Sequence, residues 1–445
     1  MKKRSVSLAV SLLLILAMIV TACGGGGGSQ SSGGGSQGGG GGASSGGQSG
    51  GGSSGGEKIV AKFYHDLPAM TDYLNEINPI LEKSDNVTFE IVPYSDTTSY
   101  QTTLRVGFST KDAADVFKWW NGFRMKELVD AGHLADMTAE WDTLTADGVD
   151  PAMAAPLTFG GKIYGVPGGV HLWVVYYNKK IFDENGLKEP ETWDELIQLC
   201  ETLLSKGITP FGQTVTDFWP GFIWFEDLAI GMNPEFYEKL VVGEAKYTDP
   251  EAIEIMELWK SMQDKGYFSE PLDWNSEVPS AMLNGEIAMY LKGTWYTSFL
   301  EGAGLKPGED YSAFVLPSVN ASSGKTIISE VTPFLVSENS NNKENAKKAL
   351  MALTKKEAHE KWLTLYGGLP IRKDVAPSHP VIQKLSEEIS TKGYKLYTRF
   401  WEATPSELSE YASNEFVRFI LNPDSYMEVL NNIEDKASRY WEGQN

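Results

Sequence analysis

Lys58 to Tyr64, a short and mostly apolar run, reads as a strand. A helical period follows: Met70, Tyr73, Leu74, Ile77, Ile80 and Leu81 fall on one face of a helix. Val87 to Val92 reads as a second strand, Tyr100 to Phe108 as a helix and Asp115 to Trp119 as a third strand. Strands alternating with helices predict an α/β fold whose sheet has parallel members. In such sheets ligands sit beyond the carboxyl ends of strands, near the switch point of strand order. The loops this singles out are His65-Asp66 after the first strand and Trp119-Trp120-Asn121 after the third.

Further along, Lys162 to Val166 reads as a strand interrupted by Pro167-Gly168-Gly169, resuming from Val170 to Asn178 with bulky residues on both faces. Proline fixes φ and glycine frees it, so the interruption reads as a passage between two lobes, with an ordinary strand-loop-strand as the alternative. Pro190 and Thr192 open a helix, and Thr192-Trp193-Asp194-Glu195 has the form of a capping box.

The first 23 residues stand apart from this pattern. Lys2, Lys3 and Arg4 precede a mostly apolar run from Val6 to Val20, the layout of an export signal. The run is shorter than the roughly 20 apolar residues of a membrane span. Residues 24–56 are almost only Gly, Ser and Gln, with too few apolar side chains to offset the entropy of ordering them. They read as a disordered tether with an r.m.s. reach of about 30 Å. The G-x-S-x-G match at Gly47 to Gly51 has neither the preceding strand nor the following helix that a nucleophile elbow requires.

Glu57 to Asn445 is long enough for two lobes. The formal net charge of −21 argues against nucleic acid and against flat adhesion to anionic lipid. Cys23 and Cys200 are the only cysteines in the sequence, and Cys200 reads as a small packed residue in a helix. The five histidines show no metal-ligand spacing, so neither a metal nor a cofactor is expected.

Several segments carry a family resemblance. Val-Thr-Ala-Cys at 20–23 resembles a bacterial lipobox, which implies a lipid on Cys23 as the first mature residue. "GKIYGVP" with the following "YYNKKIF", "GL" and "ETWDEL" resembles the central signature of extracellular solute-binding proteins of carbohydrate ABC importers. "ADVFKWWNG…ELVDAGHLADMT", "MLNGEIAMYLKGTW" and "GGLPIRKDV" resemble other segments of that family, in the same order. The resemblance implies a two-lobed periplasmic-binding-protein-like fold of type II, with a hinge of crossing segments near Val166–His171, Ser318–Lys325 and Leu369–Lys373. Lobe 1 would then comprise 57–168 and 326–370, and lobe 2 169–325 and 371–445. It also implies a monomer, lipid-anchored on the extracytoplasmic face of the membrane, that clamps a sugar or oligosaccharide between its lobes and delivers it to ABC permease subunits.

Composition fits a carbohydrate independently. Pyranose C–H faces pack on aromatic rings, and the chain has 13 Trp and 19 Tyr. Trp193, Trp259 and Trp362 lie in helical patterns and are assigned to packing, whereas tryptophans in loops after strands expose an apolar face that has a use. Trp119, Trp120, Trp219 and Trp295 are the leading candidates, followed by Trp173 and Trp274. Of the adjacent pair Trp119 and Trp120, one is expected to face the cleft and the other the sheet. Polar candidates in or beside the loops and crossings are His65, Asp66, Asn121, His171, Asp217, Glu330 and Arg372. Carboxylates in a sugar cleft leave glycoside hydrolysis as an alternative. A different solute, or delivery to a sensor kinase, is a third reading.

Overall fold

The computed structural model describes residues 57–443, so the export signal, Cys23 and the glycine-rich tract lie outside the described residues. The strands are β1 (Ile59–His65), β2 (Val87–Pro93), β3 (Val116–Lys118), a two-strand ribbon of β4 (Thr158–Phe159) and β5 (Lys162–Ile163), β6 (Val166–Asn178), β7 (Thr209–Phe211), β8 (Ile287–Gly293), β9 (Tyr311–Phe314), β10 (Thr326–Val336) and β11 (Lys395–Thr398). All but the ribbon join one sheet in the order β2-β1-β3-β10-β6-β8-β7, with β9 on β6 and β11 on β10. β1 is parallel to both β2 and β3, as the alternating pattern predicts.

The helical face read from the sequence forms α1 (Met70–Asp85), which buries Met70, Tyr73, Leu74, Ile77 and Leu81. α2 (Thr97–Gly107) begins at Asp96, whose carboxylate accepts a hydrogen bond from the Ser99 amide. α3 (Gly122–Asp130) follows directly on β3. The Thr192 capping box is present: the Thr192 hydroxyl accepts from the Glu195 amide, and the Glu195 carboxylate accepts from the Thr192 amide.

Two strands tie the sheet together. β6 pairs with β10 over Val166–Leu172 and with β8 and β9 over Trp173–Asn178. β10 in turn pairs with β11, β6 and β3 along its length. All thirteen residues of β6 are buried. Alternation sends Leu172, Val174 and Tyr176 into one hydrophobic core, and Trp173, Val175 and Tyr177 into a second. The first core lies under β1–β3 and α1; the second collects the helices Trp193–Ser205, Ile223–Met232, Pro250–Asp264 and Ser406–Leu421.

The expected interruption at Pro167-Gly168-Gly169 does not form. These residues lie inside the continuous strand β6, opposite a register shift between Thr332 and Pro333 of β10. Their glycines serve close packing: a Cβ on Gly168 would come within 2.3 Å of the Phe334 ring, and one on Gly169 within 2.5 Å of His171 Nε2.

Candidate functional site

A cavity of about 660 Å³ opens at the carboxyl ends of β1 and β3 and reaches across to the loops around β8, β10 and β11. Its volume is that of a small-molecule site. One wall is polar. Asp66, just past β1, accepts 2.8 Å hydrogen bonds from Lys118 Nζ at the end of β3 and from the Thr97 hydroxyl at the start of α2. The Lys118 amine also lies 4.2 Å from the Trp120 ring centroid, fixing that indole at the cavity edge. Trp120 lines the cavity, and its neighbour Trp119 is buried in the first core, with its N–H donating to the Arg124 carbonyl.

The facing wall is aromatic. Trp219, Trp274 and Trp295 lie pairwise 5.8, 6.0 and 6.3 Å apart between ring centroids, at steep mutual angles. Trp295 is carried by the turn Thr294–Tyr296 that follows β8. It is only 8% exposed, because Tyr296 and Phe299 pack against it. Trp219 stands in a strained turn. Asp217 and Phe218 both have positive φ, at 64° and 48°, and the Trp219 amide bonds back to the Asp217 carbonyl at 2.5 Å. Two adjacent non-glycine residues in that region are costly, and such strain clusters at ligand sites. The turn sets the Asp217 carboxylate to accept the Trp274 N–H at 3.0 Å.

The floor is a buried charge network. Glu330 of β10 is ion-paired with Arg399, which follows β11, and accepts the Trp173 N–H at 3.3 Å. Arg399 also donates to Glu402 from its Nε at 2.8 Å. Burial opposes the Arg399 charge, but Glu330 and Glu402 outweigh it and hold the guanidinium firmly protonated. Burial pushes the Glu330 carboxyl up, against the pull of Arg399.

The structure thus brings Asp66, Trp120, Asp217, Trp219, Trp274, Trp295 and Glu330 to one cavity and leaves the other sequence candidates off its lining. His65 is buried beside Thr71, and burial lowers its pKa to about 4. His171 is buried edge-on to Tyr366 with Nδ1 3.3 Å from the Thr294 hydroxyl. Burial and the Arg399 charge lower its pKa to about 3. Trp173 supports Glu330 from the second core, and Asn121 is buried at the start of α3. Arg372 does not reach the cavity. Its guanidinium is taken up by Asp147, Asp374 and the Thr354 carbonyl. Sequence reasoning missed Lys118, Thr97, Tyr366, Arg399 and Trp401, all on the lining. A signal existed for Trp401, which follows a strand as Trp120 does, but β11 is short and mostly exposed and did not read as a strand. No cluster of three or more His, Cys, Asp or Glu side chains suited to a metal occurs among the described residues.

An α/β sheet bound by two shared strands, with an aromatic and polar cavity at its strand ends, is the architecture of a solute receptor. The chain belongs to the bacterial extracellular solute-binding protein family, whose profile matches residues 77–388. It is 29% identical over 263 residues to an uncharacterized ABC transporter extracellular-binding protein of Pyrococcus horikoshii, covering 57% of this chain and 59% of that one. It is 28% identical over 215 residues to a probable sugar-binding periplasmic protein of Brucella melitensis, covering 44% and 47%. The chain spans about half the length of the curated relatives it matches. Among solved structures, the bacterial solute receptor AcbH, with an exclusive preference for β-D-galactopyranose, aligns with a TM-score of 0.77 at 21% identity, covering 86% of this chain and 99% of that one. A chitin oligosaccharide binding protein aligns with a TM-score of 0.75 at 20% identity, covering 87% and 100%. These likenesses establish the two-lobed, type II solute-binding fold.

Proposed function

We propose that this protein captures a sugar or oligosaccharide in the cavity between its lobes and hands it to the permease subunits of an ABC transporter. The observation that carries the reading is the wall of Trp219, Trp274 and Trp295 facing the Asp66, Lys118 and Thr97 cluster. Indole faces pack on the C–H faces of a pyranose, and the opposing polar groups meet its hydroxyls. The Brucella relative is named as sugar-binding, and a Streptococcus mutans relative as a multiple sugar-binding protein, which supports the same ligand class here. The Glu330 carboxylate is clasped by Arg399, an arrangement that suits a binding floor better than a free catalytic acid.

In this reading the lobes, 57–168 with 326–370 and 169–325 with 371–445, rotate about the shared strands, and ligand biases closure by binding the closed state better. The Val-Thr-Ala-Cys sequence at 20–23 supports anchorage by lipid on Cys23, with the protein acting as a monomer at the extracytoplasmic face. A thermal-shift screen against a glycan panel, paired with an assay for new reducing ends, tests the ligand class. Stabilisation without hydrolysis supports the reading, and hydrolysis would replace it with a glycosidase. Mass spectrometry of the mature N-terminus tests the anchor; an unmodified Cys23 there would remove that part.

A further inference from the structure

We infer that Lys292 is a positioning residue for the aromatic wall: it touches no ligand, but sets Trp219, Trp274 and Trp295 by lodging its amine behind them. Lys292 is the penultimate residue of β8, a strand buried along its whole length. Its side chain is fully buried, and Nζ has no hydrogen-bond partner among the described residues. The amine instead lies 4.1 Å from the ring centroid of Trp219, 5.0 Å from Trp274, 5.8 Å from Trp295 and 5.5 Å from Tyr290. The three indoles stand at 48°, 72° and 85° to one another, so they form a cage whose front is the cavity wall and whose back holds Lys292.

A buried amine without a hydrogen bond is costly, and a methionine would fill the same space without that cost. What the amine gains is contact of its N–H groups with the faces of several rings, which is directional for a charged or a neutral amine alike and therefore orients them. Asp217 on the strained turn and Glu330 on β10 draw its charge, and Arg399 after β11 repels it. Burial is the largest influence and, together with Arg399, lowers the Lys292 pKa well below the ordinary lysine value against the pull of Glu330 and Asp217. The amine thus lies against the ring faces at the back of the wall, off the cavity lining, where it can align the indoles.

The test uses Lys292→Met in the full chain. The variant is expected to melt at or above the wild-type temperature. Its ligand-free near-ultraviolet circular dichroism should change, because the indoles lose their fixed mutual angles. Affinity for the tightest glycan should fall about tenfold, which corresponds to about 1.4 kcal/mol of lost preorganisation of the wall. In a Trp219→Ala background the same substitution should change affinity far less, because Lys292 acts through that ring. The affinity arm rests on the sugar reading above; the dichroism does not, so a chain that binds no glycan still tests Lys292. Unchanged dichroism and wild-type affinity in Lys292→Met would overturn the inference. Should that variant fail to fold, proton NMR of the wild type decides. Ring currents should shift one set of lysine methylene resonances upfield, and Trp219→Ala should remove most of that shift. No such shifted lysine would equally overturn it.

Discussion

Replacing Trp219 by alanine is the sharpest probe of where affinity arises. The ring lines the cavity, is only partly buried, and is the member of the aromatic wall that the strained Asp217-Phe218 turn presents. Micromolar capture corresponds to about −8 kcal/mol. Each sugar hydroxyl exchanges water for protein at a net gain of about 1 kcal/mol, so stacking and water exclusion must supply much of the rest. Truncating a central aromatic anchor costs about 2 kcal/mol or more at binding hot spots. That predicts affinity weakened about 30-fold. Stability should fall too, because Trp219 packs 5.8 Å from Trp274 and 6.3 Å from Trp295, and such pairs contribute about 0.5–1.5 kcal/mol each. Trp259→Ala separates the two effects. That ring is 1% exposed and packs 4.6 Å from Phe419 in the second core. Its loss should cost about 3–5 kcal/mol of stability and leave the affinity of the folded fraction intact. Titration calorimetry and chemical denaturation on both variants give the comparison. Wild-type affinity in Trp219→Ala would refute the placement of the sugar platform.

Arg399→Met should strand Glu330 and Glu402 without their counter-charge and destabilise the chain by about 3–5 kcal/mol near neutral pH. The deficit should shrink on acidification, because protonated carboxyls no longer need the guanidinium; denaturation at two pH values would reveal an unchanged deficit if the network is not ionic. His65 and His359, with pKa values lowered to about 4, and His171, lowered to about 3, should stay neutral through the range where an ordinary histidine titrates. Their folded values lie below the unfolded 6.5, so the stability from burying them neutral is complete above that pH and is lost as pH falls through it toward 4. Histidine NMR titration checks this, and a charged His171 at pH 6.5 would contradict it. Saturating ligand should lower the radius of gyration in solution scattering without changing helix content; no compaction would count against closure about β6 and β10.

Much of this architecture is legible in local sequence. The first strand and helix and the Thr192 capping box appear where the residues place them, since each depends on neighbours within a few positions. The alternation of Trp119 and Trp120 is legible for the same reason. The role of the glycines at 168 and 169 is not legible locally, because their constraint is the Phe334 ring and the His171 side chain. Arg372 is kept off the cavity by Asp374, Asp147 and the Thr354 carbonyl, and the last two are far from it in sequence. Arg399 and Lys292 were invisible for a related reason. Their surroundings of buried carboxylates and indoles come from strands and turns far along the chain.

The most direct measurement is titration calorimetry of the full chain against a panel of neutral mono- and oligosaccharides, with amino acids, peptides and polyols as the opposing panel. At least one carbohydrate should bind at about micromolar affinity or tighter, and Trp219→Ala should strongly weaken that binding. A chain that ignores every carbohydrate and binds a peptide or amino acid at this cavity would contradict it.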